Sequence, residues 1–445
     1  MNKNLIIAGL VALILAMLFV APADGSVALL VVLTLSIIVV LIIRRYTDEK
    51  EYMTWLFLLA LVVRLVFGVA VHYFNLRSFF GGDAVTYDIR GNLLVADWLG
   101  YGNPNDLEFQ LATRTSGSGW GMNYFVGFIY FIIGRNILAA QSVCAVIGAA
   151  TAPLIYFCAQ KIYSNKNVSR FTAISIALFP SFIIWSGQLM KDGLIIFLLV
   201  LAITMVLQLQ DRFSLIAIMA LFAALGGILA LRFYIFYMVG VAVVGSFLLG
   251  TANSASSIFR RSAVLVVLGL ALTYFGVTRN ATQDLSQYGN LQMIQSTRLD
   301  QSQTGASGFA EDVDVSTTEG ALTAIPVGLI YLMFAPFPWQ MSNLRQAITL
   351  PEVLVWWALI PVMVYGMWWT VRNKLRVAFP ILIFTLMLTL AYSVYQGNVG
   401  TAYRQRTQIQ VFLFMFIGVG WQIYQEKKQD KKLLQRRRGG AIDRF

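Results

Sequence analysis

Apolar runs, each about long enough to cross a lipid bilayer, recur along the chain, and polar positions gather in the gaps between them. A span needs about 20 mainly apolar residues. Leu5–Val20, Val27–Ile43, Leu194–Leu207, Val264–Phe275, Leu354–Trp369 and Val411–Trp421 fit this with their flanks. Only helices or closed barrels can lie in the bilayer core. The runs lack period-two alternation, which predicts helices. Twelve spans are predicted, at 5–22, 27–43, 54–75, 137–158, 170–186, 190–208, 213–231, 234–251, 262–277, 352–371, 377–396 and 408–424. The fold class that follows is an all-α polytopic membrane protein with about twelve transmembrane helices. Interfacial or re-entrant helices are expected in its two long outer loops.

Charge orients these spans, because Lys and Arg are retained on the cytoplasmic side. After Trp421 come eight basic residues (Lys427, Lys428, Lys431, Lys432, Arg436, Arg437, Arg438 and Arg444) against Glu426, Asp430 and Asp443. The short turns at Arg44-Arg45, Lys161 to Arg170, Arg260-Arg261 and Arg372 to Arg376 are also basic and belong on the tail's side. Trp120–Gly134 and Pro326–Trp339 are apolar but short. If both crossed, the Lys161 turn would be pushed outside. If both lie in the interface or re-enter, every basic turn falls inside. One transmembrane domain, 1–425, then carries outer loops 76–119 and 277–351 and a basic cytoplasmic tail, 426–445. The expected location is the inner (plasma) membrane, with the active site on its outer side. Ala21-Pro22-Ala23 also resembles a signal-peptidase site; cleavage or retention leaves the later topology unchanged.

Composition agrees. Hydrophobic residues make up 58% and charged residues 12%, with a mean hydropathy of +0.71; a soluble domain carries roughly a quarter charged residues. The net charge of +12 sits largely in the turns and tail, so it speaks for membrane orientation, and no nucleic-acid partner is expected. Cys144 and Cys158 share one predicted helix, about 21 Å apart along its axis, too far to pair. No CxxC, His cluster, P-loop or GxGxxG is present, which argues against a metal or redox group held by such ligands and against a nucleotide-hydrolysis module. No cofactor is assigned, and a divalent metal is allowed but not indicated.

Candidate chemistry gathers on the outer face. Gly81-Gly82-Asp83 opens a segment in which Asp83, Tyr87 and Arg90 share a helical face at i, i+4 and i+7. Asp83 can accept a proton from an acceptor hydroxyl, or cap the helix; the two roles are compatible. Lys191-Asp192 begins the sixth span. There Asp192 suits the helix N-terminus, or faces Asp83 across one cavity with Lys191 near a phosphate. Arg232, Arg404 and Arg406 lie on the side where positive charge is scarce. Arginine forks bind phosphate; the bland alternative is snorkelling to the head groups. Tyr403 accompanies them. Pro336-Phe337-Pro338-Trp339 reads as an interfacial or re-entrant element. Glu311, Asp312, Asp314 and Glu319 read as a solvated acidic loop, and His72 closes the third span. Arg64, inside that span, must face protein or water.

With Asp83 in a long first outer loop, Asp192 in the next and outer arginines beside them, the chain resembles the GT-C superfamily of membrane glycosyltransferases. Where many members carry two adjacent acids, Ala84 follows Asp83. The resemblance implies inverting transfer from a polyprenyl-phosphate-linked sugar to a glycan or lipid-linked acceptor. Asp83 would act as base with Asp192 as its catalytic partner. Tyr87, Arg90, Lys191, Arg232, Tyr403, Arg404 and Arg406 would hold substrate, with membrane lipids around them. Two other readings stay open. One is an O-antigen or polysaccharide polymerase or ligase leaning on the arginines and His72. The other is a transporter or flippase.

Overall fold

The computed structural model describes residues 3–20, 22–115, 119–249, 262–267, 269–270, 273, 290–304, 307–310, 313–341 and 343–442. The predicted span 262–277 is described only in part, and Arg260-Arg261, Glu311 and Asp312 lie outside the described residues.

The described residues are nearly all helical. Helices α1 (Lys3–Val20), α2 (Pro22–Tyr46) and α3 (Lys50–Tyr73) are followed by four short ones, α4 (Arg77–Phe80), α5 (Asp83–Trp98), α6 (Leu107–Thr113) and α7 (Trp120–Ile133). Then come α8 (Ile137–Tyr163), α9 (Lys166–Leu178), α10 (Pro180–Ser186), α11 (Lys191–Asp211), α12 (Leu215–Leu231) and α13 (Phe233–Leu249). The chain continues with α14 (Leu291–Thr304), α15 (Thr318–Phe334), α16 (Leu344–Tyr395) and α17 (Val399–Ile442). Among the described residues, six helices are long and apolar enough to cross a membrane: α2, α3, α8, α11, α16 and α17. The bent pair α9–α10 makes a seventh, and α1, α7, α12, α13 and α15 are shorter apolar helices.

Polar side chains fix the helix starts. Asn136, Asn165, Ser214 and Thr317 each accept backbone N–H groups at an N-terminus, which satisfies donors that have no partner inside the helix. Helix α8 lies at the centre, packed by α2, α3, α9 and α11. Between α9 and α10 the axis turns by 54° at Pro180. A proline there cannot continue the hydrogen-bond ladder, and the carbonyls freed at the break need donors. Arg64 of α3 supplies them. Its guanidinium donates to Ile176 O and Ala177 O at 2.9 Å and to Ser186 Oγ at 2.8 Å. A buried charge inside an apolar helix thus faces protein throughout.

The 52-residue α16 is two helices joined at Lys374, whose φ and ψ of −135° and 20° are not helical. Trp356 and Gly366 of the first arm meet Phe414 and Phe416 of α17, whereas Phe384 and Tyr392 of the second meet Phe412 and Gln408. The arms therefore run antiparallel. The ends at Glu352 and Gln396 lie together, beside Tyr403 and Gln405.

Two ends of the bundle separate cleanly. At one, Glu49 accepts from Arg170 at 2.7 and 3.0 Å, Lys161 meets Asp211 at 2.8 Å and Lys427 donates to Tyr365 at 2.6 Å. Lys3 pairs with Glu51 there too. At the other end, α4 to α7 lie across the helix mouths and carry the candidate site.

Candidate active site

The site is organised by one arginine. Arg404, near the start of α17, places Nη1 2.8 Å from Asp83 Oδ2 and Nε 3.2 Å from Asp192 Oδ2. It bridges carboxylates from two distant parts of the chain. Behind it, Arg232 Nη2 donates to Asp192 Oδ1 at 3.0 Å. Tyr392 donates to Gln408 Oε1 at 2.7 Å and lies 3.4 Å from Arg232 Nη1. Four ionised groups alternate in sign, which is how buried charge is tolerated.

The two acids differ in environment. Asp192 is 0% exposed, while the Asp83 side chain is 42% exposed. Gly82, not Asp83, is the N-cap of α5, and no side chain caps that helix. Asp83 points instead to Arg404, and among the described residues its Oδ1 has no hydrogen-bond partner. It lines a polar cavity of about 340 Å³ with Tyr87, Arg90, Arg114, Asn123 and Lys191. Burial, reinforced by the charge of Asp83, pushes the Tyr87 phenol well above its ordinary value, so it stays neutral. Arg90 is held by Glu108 at 3.0 Å. Gly119 has φ of +90°, and a Cβ there would come within 2.6 Å of Lys191 Nζ. A glycine lets the chain turn while the ammonium enters the cavity wall.

The structure thus brings Asp83, Tyr87, Arg90 and Lys191 around one cavity, with Arg404 at its edge. It places three expected residues elsewhere. Asp192 does not face the cavity, because Arg404 and Arg232 draw its carboxylate inward. Arg232 is itself buried, so it does not snorkel. Arg406 is removed furthest. The stretch between the predicted spans 377–396 and 408–424 is helical from Val399 onward, and Arg406 is fully buried, donating to Met333 O at 3.1 Å and Ala335 O at 2.9 Å at the C-terminal end of α15. Tyr403 borders a second cavity, but its hydroxyl donates inward to Glu352 Oε2 at 2.8 Å. His72 contacts Arg77, with Asp24 as its neighbouring acid; no contact joins it to Asp83.

Sequence reasoning missed Glu352, Gln408 and Tyr392. Glu352 also accepts from Ser181. Its signal was there, a carboxylate at the mouth of an apolar run. So was that of the string Gln405 to Gln410, polar except for Ile409 and buried throughout. Among the described residues no three His, Cys, Asp or Glu side chains gather as metal ligands.

Residues 119–278 match the family model for dolichyl-phosphate-mannose-protein mannosyltransferase. That family lies within the GT-C membrane glycosyltransferases. Over this stretch the chain is similar to sugar transferases. The matched residues include Lys191, Asp192 and Arg232, but not Asp83 or Arg404. Comparison with curated proteins and with solved structures gave no match. The likeness supports a multi-pass membrane glycosyltransferase that draws on polyprenyl-phosphate sugars.

Proposed function

We propose that the chain transfers a sugar, with inversion, from a polyprenyl-phosphate donor to an acceptor hydroxyl. The site lies at the bundle end opposite the basic turns, on the outer face of the inner membrane. One observation carries this reading: Arg404 holds one oxygen of Asp83 while the other stays available in a cavity rich in cations. The acceptor O–H gives its proton to Asp83 Oδ1. Its oxygen bonds to the anomeric carbon, and the bond from that carbon to the phosphate oxygen breaks, leaving the electron pair on phosphate. Arg404, Lys191 and Arg114 stabilise the charge that grows there. Arg232 and Asp192 act as positioning residues, because they fix Arg404 without reaching the cavity.

A purified enzyme in nanodiscs with polyprenyl-phosphate-hexose donors tests this. Asp83→Asn keeps size and hydrogen bonding but loses the base, so turnover should fall about 10²–10⁴-fold. Near-normal turnover in a well-folded Asn variant would remove Asp83 from the mechanism. The ligase reading, which leans on His72, is not favoured by that residue's seat against Arg77.

A further inference from the structure

Two buried charged residues grip one short helix, α10. Arg64 of α3 donates to Ser186 Oγ, at the C-terminal end of α10, at 2.8 Å. Glu352 of α16 accepts from Ser181, at its N-terminal end, through Oε1. The other Glu352 oxygen accepts from the Tyr403 hydroxyl of α17 at 2.8 Å, and the Ser181 and Tyr403 hydroxyls lie 2.9 Å apart. Glu352, Ser181 and Tyr403 are all buried. One carboxylate therefore joins α10, α16 and α17.

A carboxylate is costly inside a membrane bundle, and here hydroxyls rather than a cation occupy both of its oxygens. Stability alone does not account for it, because buried charged groups can often be replaced by apolar ones of similar volume without loss of stability. Direct chemistry does not account for it either. Glu352 and Ser181 line neither the polar cavity nor the one that Tyr403 borders.

What Glu352 holds adjoins the site on two sides. Along α17, Tyr403 precedes Arg404. The Tyr403 ring meets Trp185 of α10 edge-on at 6.5 Å, and the Arg404 guanidinium lies 5.9 Å from the Trp185 ring. Beyond Ser186, a tight turn leads to Asp192: Gly187 N donates to Ile183 O at 2.7 Å, and Met190 N to Gln188 O at 2.8 Å. A Cβ on Gly193 would come within 2.6 Å of Ser186 Cβ, so the start of α11 is seated directly on α10. Helix α10 thus carries Asp192 just past its end and Arg404 against its Trp185. A shift between α10 and α17 changes the 3.2 Å contact of Arg404 with Asp192 and, with it, the grip of Arg404 on Asp83.

We infer that Glu352 is a positioning residue for sugar transfer. It locks α10 to α17 through Ser181 and Tyr403, and so fixes Arg404 between Asp192 and Asp83. Arg64 holds the same helix against α3. The inference rests on the transferase reading and adds to it a residue that does not touch substrate.

The test uses the full-length protein in nanodiscs with a polyprenyl-phosphate-hexose donor. Tyr403→Phe keeps the ring and loses the hydroxyl; Glu352→Gln keeps the volume and loses the charge. Each should lower kcat about 10–10²-fold, the scale of a misplacement of about 1 Å, and leave the donor KM within about twofold. In an Arg404→Ala background, Tyr403→Phe should cost less than about twofold more, because the residue it positions is gone. A purely structural role would reduce the folded fraction equally in both backgrounds. Equal losses with and without Arg404, or unchanged kcat in both Tyr403→Phe and Glu352→Gln, would overturn the inference. A second readout needs no turnover. Hydrogen exchange of 399–410 should quicken about tenfold in both variants, while 161–170 at the opposite end of the bundle stays unchanged. Unchanged exchange at 399–410 would also overturn the inference. If the wild-type protein transfers no sugar, the transferase reading fails, and faster exchange in the variants would still show that Glu352 locks α10 to α17.

Discussion

At the scale of residues, the alternating charges assign unequal work to the two acids. Asp192 has no exposure and two arginine partners. Removing one partner of a buried pair leaves the other charged and unpaired, at a cost of about 3–5 kcal/mol. Asp192→Asn should therefore lower the unfolding temperature in detergent sharply, whereas Asp83→Asn, at a partly exposed pair, should not. Equal thermal stability of the two variants would contradict this division. Arg404 gives a sharper test. Its planar guanidinium donates from Nη1 to Asp83 and ion-pairs through Nε with Asp192 at 3.2 Å, an arrangement that a lysine's single ammonium cannot copy. Arg404→Lys should lose transfer as fully as Arg404→Ala; retained activity in Lys would show that charge alone suffices. Part of this was legible in the sequence. The spacing of Asp83, Tyr87 and Arg90 placed them on one face, and they line one cavity. The pairing of Arg404 with Arg406 failed for a simple reason. On a helix, residues two apart point in different directions, so one arginine reaches the cavity edge and the other is buried against the carbonyls at the C-terminal end of α15. Leaving the stretch between the predicted spans 377–396 and 408–424 outside any helix concealed that geometry.

At the scale of elements, helicity was legible because lipid-length apolar runs admit little else. The breaks were less so. Pro180 marked the α9–α10 bend, but nothing local showed that Arg64, more than a hundred residues earlier, would satisfy the freed carbonyls. The short helices α4 to α7 follow polar loop sequence, and their placement depends on tertiary packing rather than on periodicity. Helix α5 holds Asp83 and is seated on α7 at Gly91. A Cβ there would come within 2.5 Å of Val126 Cγ1 and 3.1 Å of the Gly127 nitrogen. The backbones must approach closely, which only glycine allows. Gly91→Ala should push α5 away from α7, costing about 1–3 kcal/mol by overpacking. It should also carry Asp83 off Arg404, so that turnover falls although no site residue has changed. Unaltered turnover would mean that α5 is held by its N-terminal contacts alone.

At the scale of the whole molecule, the packing gathers the basic turns although they are scattered in sequence. Contacts bring Lys3, Glu49, Lys161, Lys166, Arg170 and Lys427 to one end, while Asp83, Asp88, Arg135, Asp192 and Arg404 collect at the other. Hydrophobic burial alone does not require that sorting; a membrane with positive charge retained on one side does. The cytoplasmic assignment of the basic end can be tested with added cysteines, and the background is favourable because Cys144 and Cys158 are both buried. In intact cells an impermeant thiol reagent should label a cysteine placed at Asp106, in the polar stretch after α5, and spare one at Asn165, between α8 and α9. After permeabilisation both should react. The reverse pattern would invert the whole bundle and put the Asp83 cavity on the cytoplasmic face, away from a donor lipid presented outside. Labelling of both sites in intact cells would require α8 to cross differently from its neighbours. That would be inconsistent with its central packing against α3, α9 and α11, so the labelling outcome also tests the helix arrangement on which the site depends.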